Sequence, residues 1–156
     1  MDQLYSTYEN ATRKNSLDGL IVTGAPVEHL DFEDVKYWDE IVEVIEDARK
    51  HCPSTLGVCW GAMALADMAG IPKLIFDKKL FGVFELQNLA PSHPIVGALD
   101  DRFLCPQSRI AGTSNLDMQV AEKGGVLNLL AFGEEGGYTI FETSDQKQIM
   151  HMGHPE

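Results

Sequence analysis

The stretch Gly57-Val58-Cys59-Trp60-Gly61 sets one thiol between an apolar run and a run with helical spacing. G-x-C-x-G is the thiol form of the nucleophile elbow, a strand-to-helix turn so tight that the side chain stands clear of the sheet edge and its neighbours must be small. Gly57 and Gly61 meet that need. A sulfur beside a helix N-terminus is expected to favour thiolate, lowering a pKa that starts at about 8.5. The backbone N–H of Trp60 would face an oxyanion formed on an attacked carbonyl. The same five residues suit a small buried cysteine in a core equally well, because free cysteine is often buried. A base in reach decides between the two.

Five histidines are available: His29, His51, His93, His151 and His154. His154 stands apart, because it follows a β-like run and Gly153, with Glu156 two residues on. A histidine at the C-terminal end of a strand shares the rim where parallel α/β sheets gather their sites. Glu156 could fix the imidazole tautomer and stabilise its cation, the third role of a triad. His151 and His154 are the one histidine pair close in sequence, but no third ligand stands at a suggestive spacing, so no metal is expected.

The elements that must position these residues follow from periodicity. Leu20, Ile21 and Val22, between Gly19 and Gly24-Ala25-Pro26, read as a short buried strand entering a loop. "DFEDVKYWDEIVEVIEDARK" places Val35, Trp38, Ile41, Val42, Ile45 and Ala48 at helical spacing, with Asp31 as the cap. "STLGVC" reads as a second buried strand and "WGAMALADMA" as a helix closed by Gly70 and Pro72. Strand, helix, strand, helix argues for an α/β sheet with parallel strands. "KLIF" and "FGVFEL" have strand character, "APSHPIVGALDDRFLCPQSR" reads as irregular, and residues 126–153 give three β-like runs divided by "GEEGG" and "SDQK".

The chain has 156 residues, 44% of them hydrophobic, enough for one domain, 1–156, with its own core. A net charge of −12, from 24 acidic against 12 basic residues, argues against nucleic acid or an anionic membrane as partner. No apolar run approaches the ~18 residues of a spanning helix, and "MDQLYSTYEN" lacks the regions of a signal peptide, so a cytoplasmic location is expected. Cys52, Cys59 and Cys105 are odd in number and lack CxxC spacing, which suggests neither a disulfide framework nor a cysteine zinc site.

"DGLIVTGAP", the helix containing "YW", "VCWGA", "GIPK", "KLFGVFE", "DDRFLCPQSR" and "GHPE" occur in this order along nearly the whole chain. Together they resemble the homoserine O-acyltransferase family, the acetyl- and succinyltransferases of methionine biosynthesis. The resemblance implies the class I glutamine amidotransferase-like (flavodoxin-like) α/β fold, a mostly parallel sheet flanked by helices. It also implies a ping-pong reaction in which acyl-CoA acylates a cysteine and the amino-acid hydroxyl then takes the acyl group. Carried over, Cys59 is the nucleophile, His154 the general base and Glu156 its orienting partner. Lys79 and Ser108 match substrate-contacting positions, and Arg109 beside them could add positive charge or simply pack. Glu28 holds the position where glutamate accompanies acetyl-CoA and glycine accompanies succinyl-CoA; a carboxylate there would repel a succinyl carboxylate. The expected co-substrates are acetyl-CoA, or succinyl-CoA, and L-homoserine, with no bound cofactor; the family precedent implies a homodimer.

The chain also departs from this pattern. Family members are roughly twice as long, so the chain is expected to be truncated, lacking a strand and helix before "DGLIVTGAP" and an arginine after "HPE". Met63 stands where many relatives have glutamine, and "FELQN" lacks a histidine usual after "GV[YF]E", which opens serine as an acceptor. A glutamine amidotransferase-like hydrolase and an inactive truncated homologue are the competing readings.

Overall fold

The computed structural model describes residues 5–13 and 16–155. A short helix, α1 (Tyr8–Thr12), precedes β1 (Leu20–Val22), α2 (Trp38–His51), β2 (Thr55–Val58) and α3 (Trp60–Met68). Then come β3 (Lys73–Asn88), β4 (Arg102–Thr113), α4 (Asn115–Lys123), β5 (Leu127–Gly133), β6 (Gly137–Thr143) and β7 (Gln148–His151). The strands form one sheet in the order β1-β2-β7-β6-β5-β3-β4. Among the described residues only β1–β2 and β2–β7 pair in parallel, while β7–β6, β6–β5, β5–β3 and β3–β4 are antiparallel. The parallel character expected of the sheet is therefore confined to the half that carries the elbow. β1 and β2 are joined by a crossover through α2, whereas β5–β6 and β6–β7 are joined by tight turns and β4 returns to β5 through α4.

α3 is buried from Trp60 to Ala66, apolar on every side, and packs into the main core with Val22, Ile45, Val58, Phe141 and Met150. Its end is set by Gly70, at φ +84°, a left-handed conformation that favours glycine. The helix expected from Asp31 begins instead at Trp38, preceded by a 3-10 turn over Phe32–Asp34. Val35 is extended there, and Phe32 stacks on Trp38 at 4.5 Å, so aromatic packing fixes the approach to α2 and Asp31 makes no side-chain cap. Asp39 and Glu40 in the first turn of α2, with Arg49, Lys50 and His51 in its last, complement the helix dipole.

"KLIF" and "FGVFEL" are the two ends of one strand, β3, whose register against β4 shifts between Ile75 and Leu80. Residues 102–109 of the segment read as irregular belong to β4, in which Cys105, Gln107, Arg109 and Ala111 are buried in alternation. The β3–β4 hairpin joins the rest of the sheet at only two register pairs, Gln87↔Phe132 and Asn88↔Ala131. Its far end, which carries residues of the site, lies beyond that junction and is held by its links to α3 and α4, by Ala111 in the main core and by the His154 N–H to Pro106 O.

The elbow rests on two close approaches. A Cβ on Gly57 would lie 2.6 Å from Gly61 O, and one on Gly61 would lie 2.0 Å from Val22 O. Both contacts are with backbone, which cannot swing aside. Gly61→Ala is expected to cost about 1–3 kcal/mol of stability, against about 0.5 kcal/mol or less for Glu43→Ala on the exposed face of α2. Urea unfolding followed by circular dichroism measures both.

Candidate active site

Cys59 occupies the turn between β2 and α3 with φ 51° and ψ −111°. A non-glycine residue held in this region stores backbone strain, and the surroundings fix it. Its N–H donates to His151 O of β7 at 2.9 Å, and its C=O accepts from Met63 N at 3.1 Å. The sulfur thus emerges at the C-terminal rim of the parallel half of the sheet. It borders a cleft of about 510 Å³ lined by residues 23–26, Glu28, His29, Cys59, Lys79, Ser108, Ile110 and His154.

Glu28 contacts the thiol directly. Cys59 Sγ donates to Glu28 Oε1 at 3.2 Å, and Ile110 N donates to Glu28 Oε2 at 3.1 Å. The carboxylate is thereby held between the elbow and β4. His154 reaches the same place from the turn after β7: its N–H donates to Pro106 O at 2.9 Å. The point that a Cβ on Gly24 would occupy lies 3.8 Å from both Cys59 Sγ and His154 Cε1. Glycine at position 24 leaves open the space between sulfur and imidazole.

Burial, the hydrogen bond to Glu28 and the charge of Glu28 push the Cys59 thiol up to about 12. The Trp60 backbone N–H and the charge of Arg109 act in the opposite direction and are outweighed. The lowering expected from the helix N-terminus is thus reversed: in this resting site the sulfur is a thiol that donates its proton. Chemistry at Cys59 requires a base to take that proton, and His154 borders the same cleft.

Glu28, Cys59, Lys79, Ser108 and His154 line one cleft. Lys79 is exposed, its Nζ 5.6 Å from the Phe81 ring. Trp60 directs its backbone N–H toward the sulfur, while its ring, 2% exposed, packs among Phe32, Tyr37 and Trp38. Glu156 lies outside the described residues. Arg109 does not line the cleft; it is 1% exposed beneath it, turned inward. Among the described residues no group of His, Cys, Asp and Glu side chains is arranged to hold a metal ion. Sequence reasoning missed Ile110, because a backbone donor leaves no signature in residue type. It missed His29 as well, although that histidine adjoins Glu28 in the same loop.

An elbow cysteine on this mixed sheet defines a class of fold. A glutamine amidotransferase from Thermotoga maritima superposes with TM-score 0.70 at 16% identity, over 88% of this chain and 55% of its own. The glutaminase domain of Trypanosoma brucei CTPS with bound acivicin gives 0.69 at 14%, over 99% and 70%. A glutamine amidotransferase from Methylobacillus flagellatus gives 0.65 at 16%, over 88% and 51%. At these identities the likeness is one of fold, the class I glutamine amidotransferase-like architecture.

Within that class the chain belongs to the homoserine O-succinyltransferase family, whose profile matches residues 1–156. It is 38% identical to a homoserine O-acetyltransferase from Bacillus subtilis over all of this chain and 51% of that protein. It is 42% identical to a protein of the same name from Lachnoclostridium phytofermentans, again over 100% and 51%. The chain spans about half the length of the curated relatives it matches.

Removing the carboxylate tests the electrostatics directly. Glu28→Ala is expected to bring the pH midpoint of Cys59 alkylation down by about 1–3 units. The unsubstituted chain is expected to react faster with each step in pH up to about 10, without a plateau. Iodoacetamide adducts counted by intact mass, with Cys59→Ala identifying the site, give the readout.

Proposed function

We propose that the chain carries the nucleophilic centre of a homoserine O-acyltransferase that moves an acetyl group from acetyl-CoA to the hydroxyl of L-homoserine, a step of methionine biosynthesis. The observation that carries this reading is the Glu28 carboxylate 3.2 Å from Cys59 Sγ, where an acyl group on sulfur must lie. A carboxylate there leaves room for a methyl group and repels the free carboxylate of a succinyl chain. Family membership and the acetyltransferase names of the relatives support the same choice.

In the first half-reaction His154 takes the thiol proton, and the sulfur forms a bond to the thioester carbonyl carbon. The Trp60 N–H would stabilise the oxyanion. Collapse breaks the carbon–sulfur bond to coenzyme A, whose thiolate leaves with the proton from the imidazolium. In the second, His154 takes the proton of the homoserine hydroxyl, the oxygen attacks the acyl carbon, and Cys59 departs and regains its proton. Lys79 and Ser108, which line the same cleft, would hold the polar groups of the amino acid. Glu156 is assigned the orientation of the imidazole. A succinyl donor or serine acceptor would use the same thiol and base, and a cytoplasmic setting with a homodimeric assembly accompanies the reading.

A glutaminase reading on the same fold fares worse, because Met63, at the position of the amidotransferase glutamine, is 2% exposed in the core and offers no hydrogen bond to an amide. Incubating the purified chain with acetyl-CoA is expected to add one acetyl mass at Cys59, absent in Cys59→Ala, with succinyl-CoA giving none. His154→Ala is expected to slow acetylation by about 10²–10⁴-fold. Acylation by succinyl-CoA alone, or hydrolysis of glutamine without acyl-CoA, would overturn the assignment.

A further inference from the structure

Arg109 is the most buried cation near the site, yet it touches no part of the cleft. Its guanidinium donates from Nε to Gln107 Oε1 at 2.9 Å, from Nη1 to Ala111 O at 2.8 Å and from Nη2 to Gly136 O at 2.7 Å. It also lies 5.1 Å from the Phe76 ring centroid. Gln107 and Ala111 are on β4, Phe76 is on β3, and Gly136 is in the turn between β5 and β6. The fork therefore ties this part of the β3–β4 hairpin to the β5–β6 turn, at a place where no strand pairing does so. Gly112 and Gly136 leave the room it needs: a Cβ on either would lie 2.2 Å from Nη1 or 3.1 Å from Nη2.

That end of the hairpin is the outer wall of the site, carrying Lys79, Ser108 and Ile110. Ile110 follows the arginine directly, and its N–H anchors Glu28 Oε2. We propose that Arg109 is a positioning residue: its planar fork sets β4 against the β5–β6 turn, which aims the Ile110 N–H at Glu28 and so holds the carboxylate on Cys59. It contacts no reacting atom. The role deepens the acyltransferase reading, but its test reads thiol chemistry and stands whether or not acyl transfer occurs.

Arg109→Lys keeps the charge and loses the fork. Charged and titratable groups facing Cys59 and Glu28 are His29, Lys73, Lys79, Arg109 and His154, and all but position 109 are left unchanged. A loosened Glu28 lowers the barrier to ionising the thiol, so alkylation of Cys59 by iodoacetamide at about pH 8 is expected to rise about tenfold, one unit in pKa. In a Glu28→Ala background the same lysine substitution is expected to change the rate by less than about twofold, because the two then act through one path. Arg102→Met, on the exposed face of β4, is expected to leave the rate unchanged. A rate unaltered by Arg109→Lys, or altered equally with Glu28 absent, overturns the proposal. Should Arg109→Lys fail to fold by circular dichroism, Gln107→Leu decides: it keeps the cation and removes one arm of the fork. An increased rate supports the role, and a wild-type rate overturns it.

Discussion

The backbone contact between α3 and β1 at Gly61 governs the rest of the site. With no side chain at Gly61, the helix closes on the carbonyl of Val22, and the chain between β2 and α3 must turn within one residue. Cys59 is that residue, and its positive φ costs on the order of 1–3 kcal/mol. Burial of a helix apolar on all sides, with hydrogen bonds to His151 O and from Met63 N, offsets the strain. The same closeness brings the loop after β1 over the sulfur, and with it Gly24 and Glu28. The site is thus a consequence of how tightly one helix sits on one strand.

Charge decides how the sulfur behaves once it is placed there. A thiol at a helix N-terminus with an arginine nearby is ordinarily easy to ionise, yet here the anion nearest the sulfur and the loss of water outweigh both. Arg109, itself pushed down to about 10 by burial, spends its hydrogen bonds on Gln107 and two backbone carbonyls, not on the carboxylate. It acts on Glu28 through β4. A thiol held protonated is protected against alkylation and oxidation until a base takes its proton. An acyl group that enters beside Glu28 and alters that hydrogen bond would alter the thiol as well, which links donor recognition to activation under the proposed function.

The elbow was legible in the sequence because every requirement is local: two small residues, a thiol, an apolar strand before it and a helix after it. β1, β2, α3 and the three runs of the last third were legible for the same reason. β4 was hidden because two of its inward positions are Gln107 and Arg109, polar residues that break the apolar alternation by which a half-buried strand is read. α4 carries a readable cap, Ser114 accepting from Asp117 N, but exposed Leu116 and Val120 blur its face. The start of α2 moved because Phe32 and Trp38 stack, a contact set by tertiary packing. The link from Glu28 to Cys59 spans 31 positions and came from resemblance, since spacing carries no trace of it.

The central claim is that Cys59 rests as a thiol donating to Glu28. Ultraviolet thiolate absorbance, taken as the difference between the chain and its Cys59→Ala variant across the pH range, tests it most directly. The account predicts no thiolate from Cys59 below about pH 10, given a thiol pushed up to about 12. A thiolate step near neutral pH would contradict it, because Glu28 would then hold no proton from the sulfur and the helix N-terminus would govern the site.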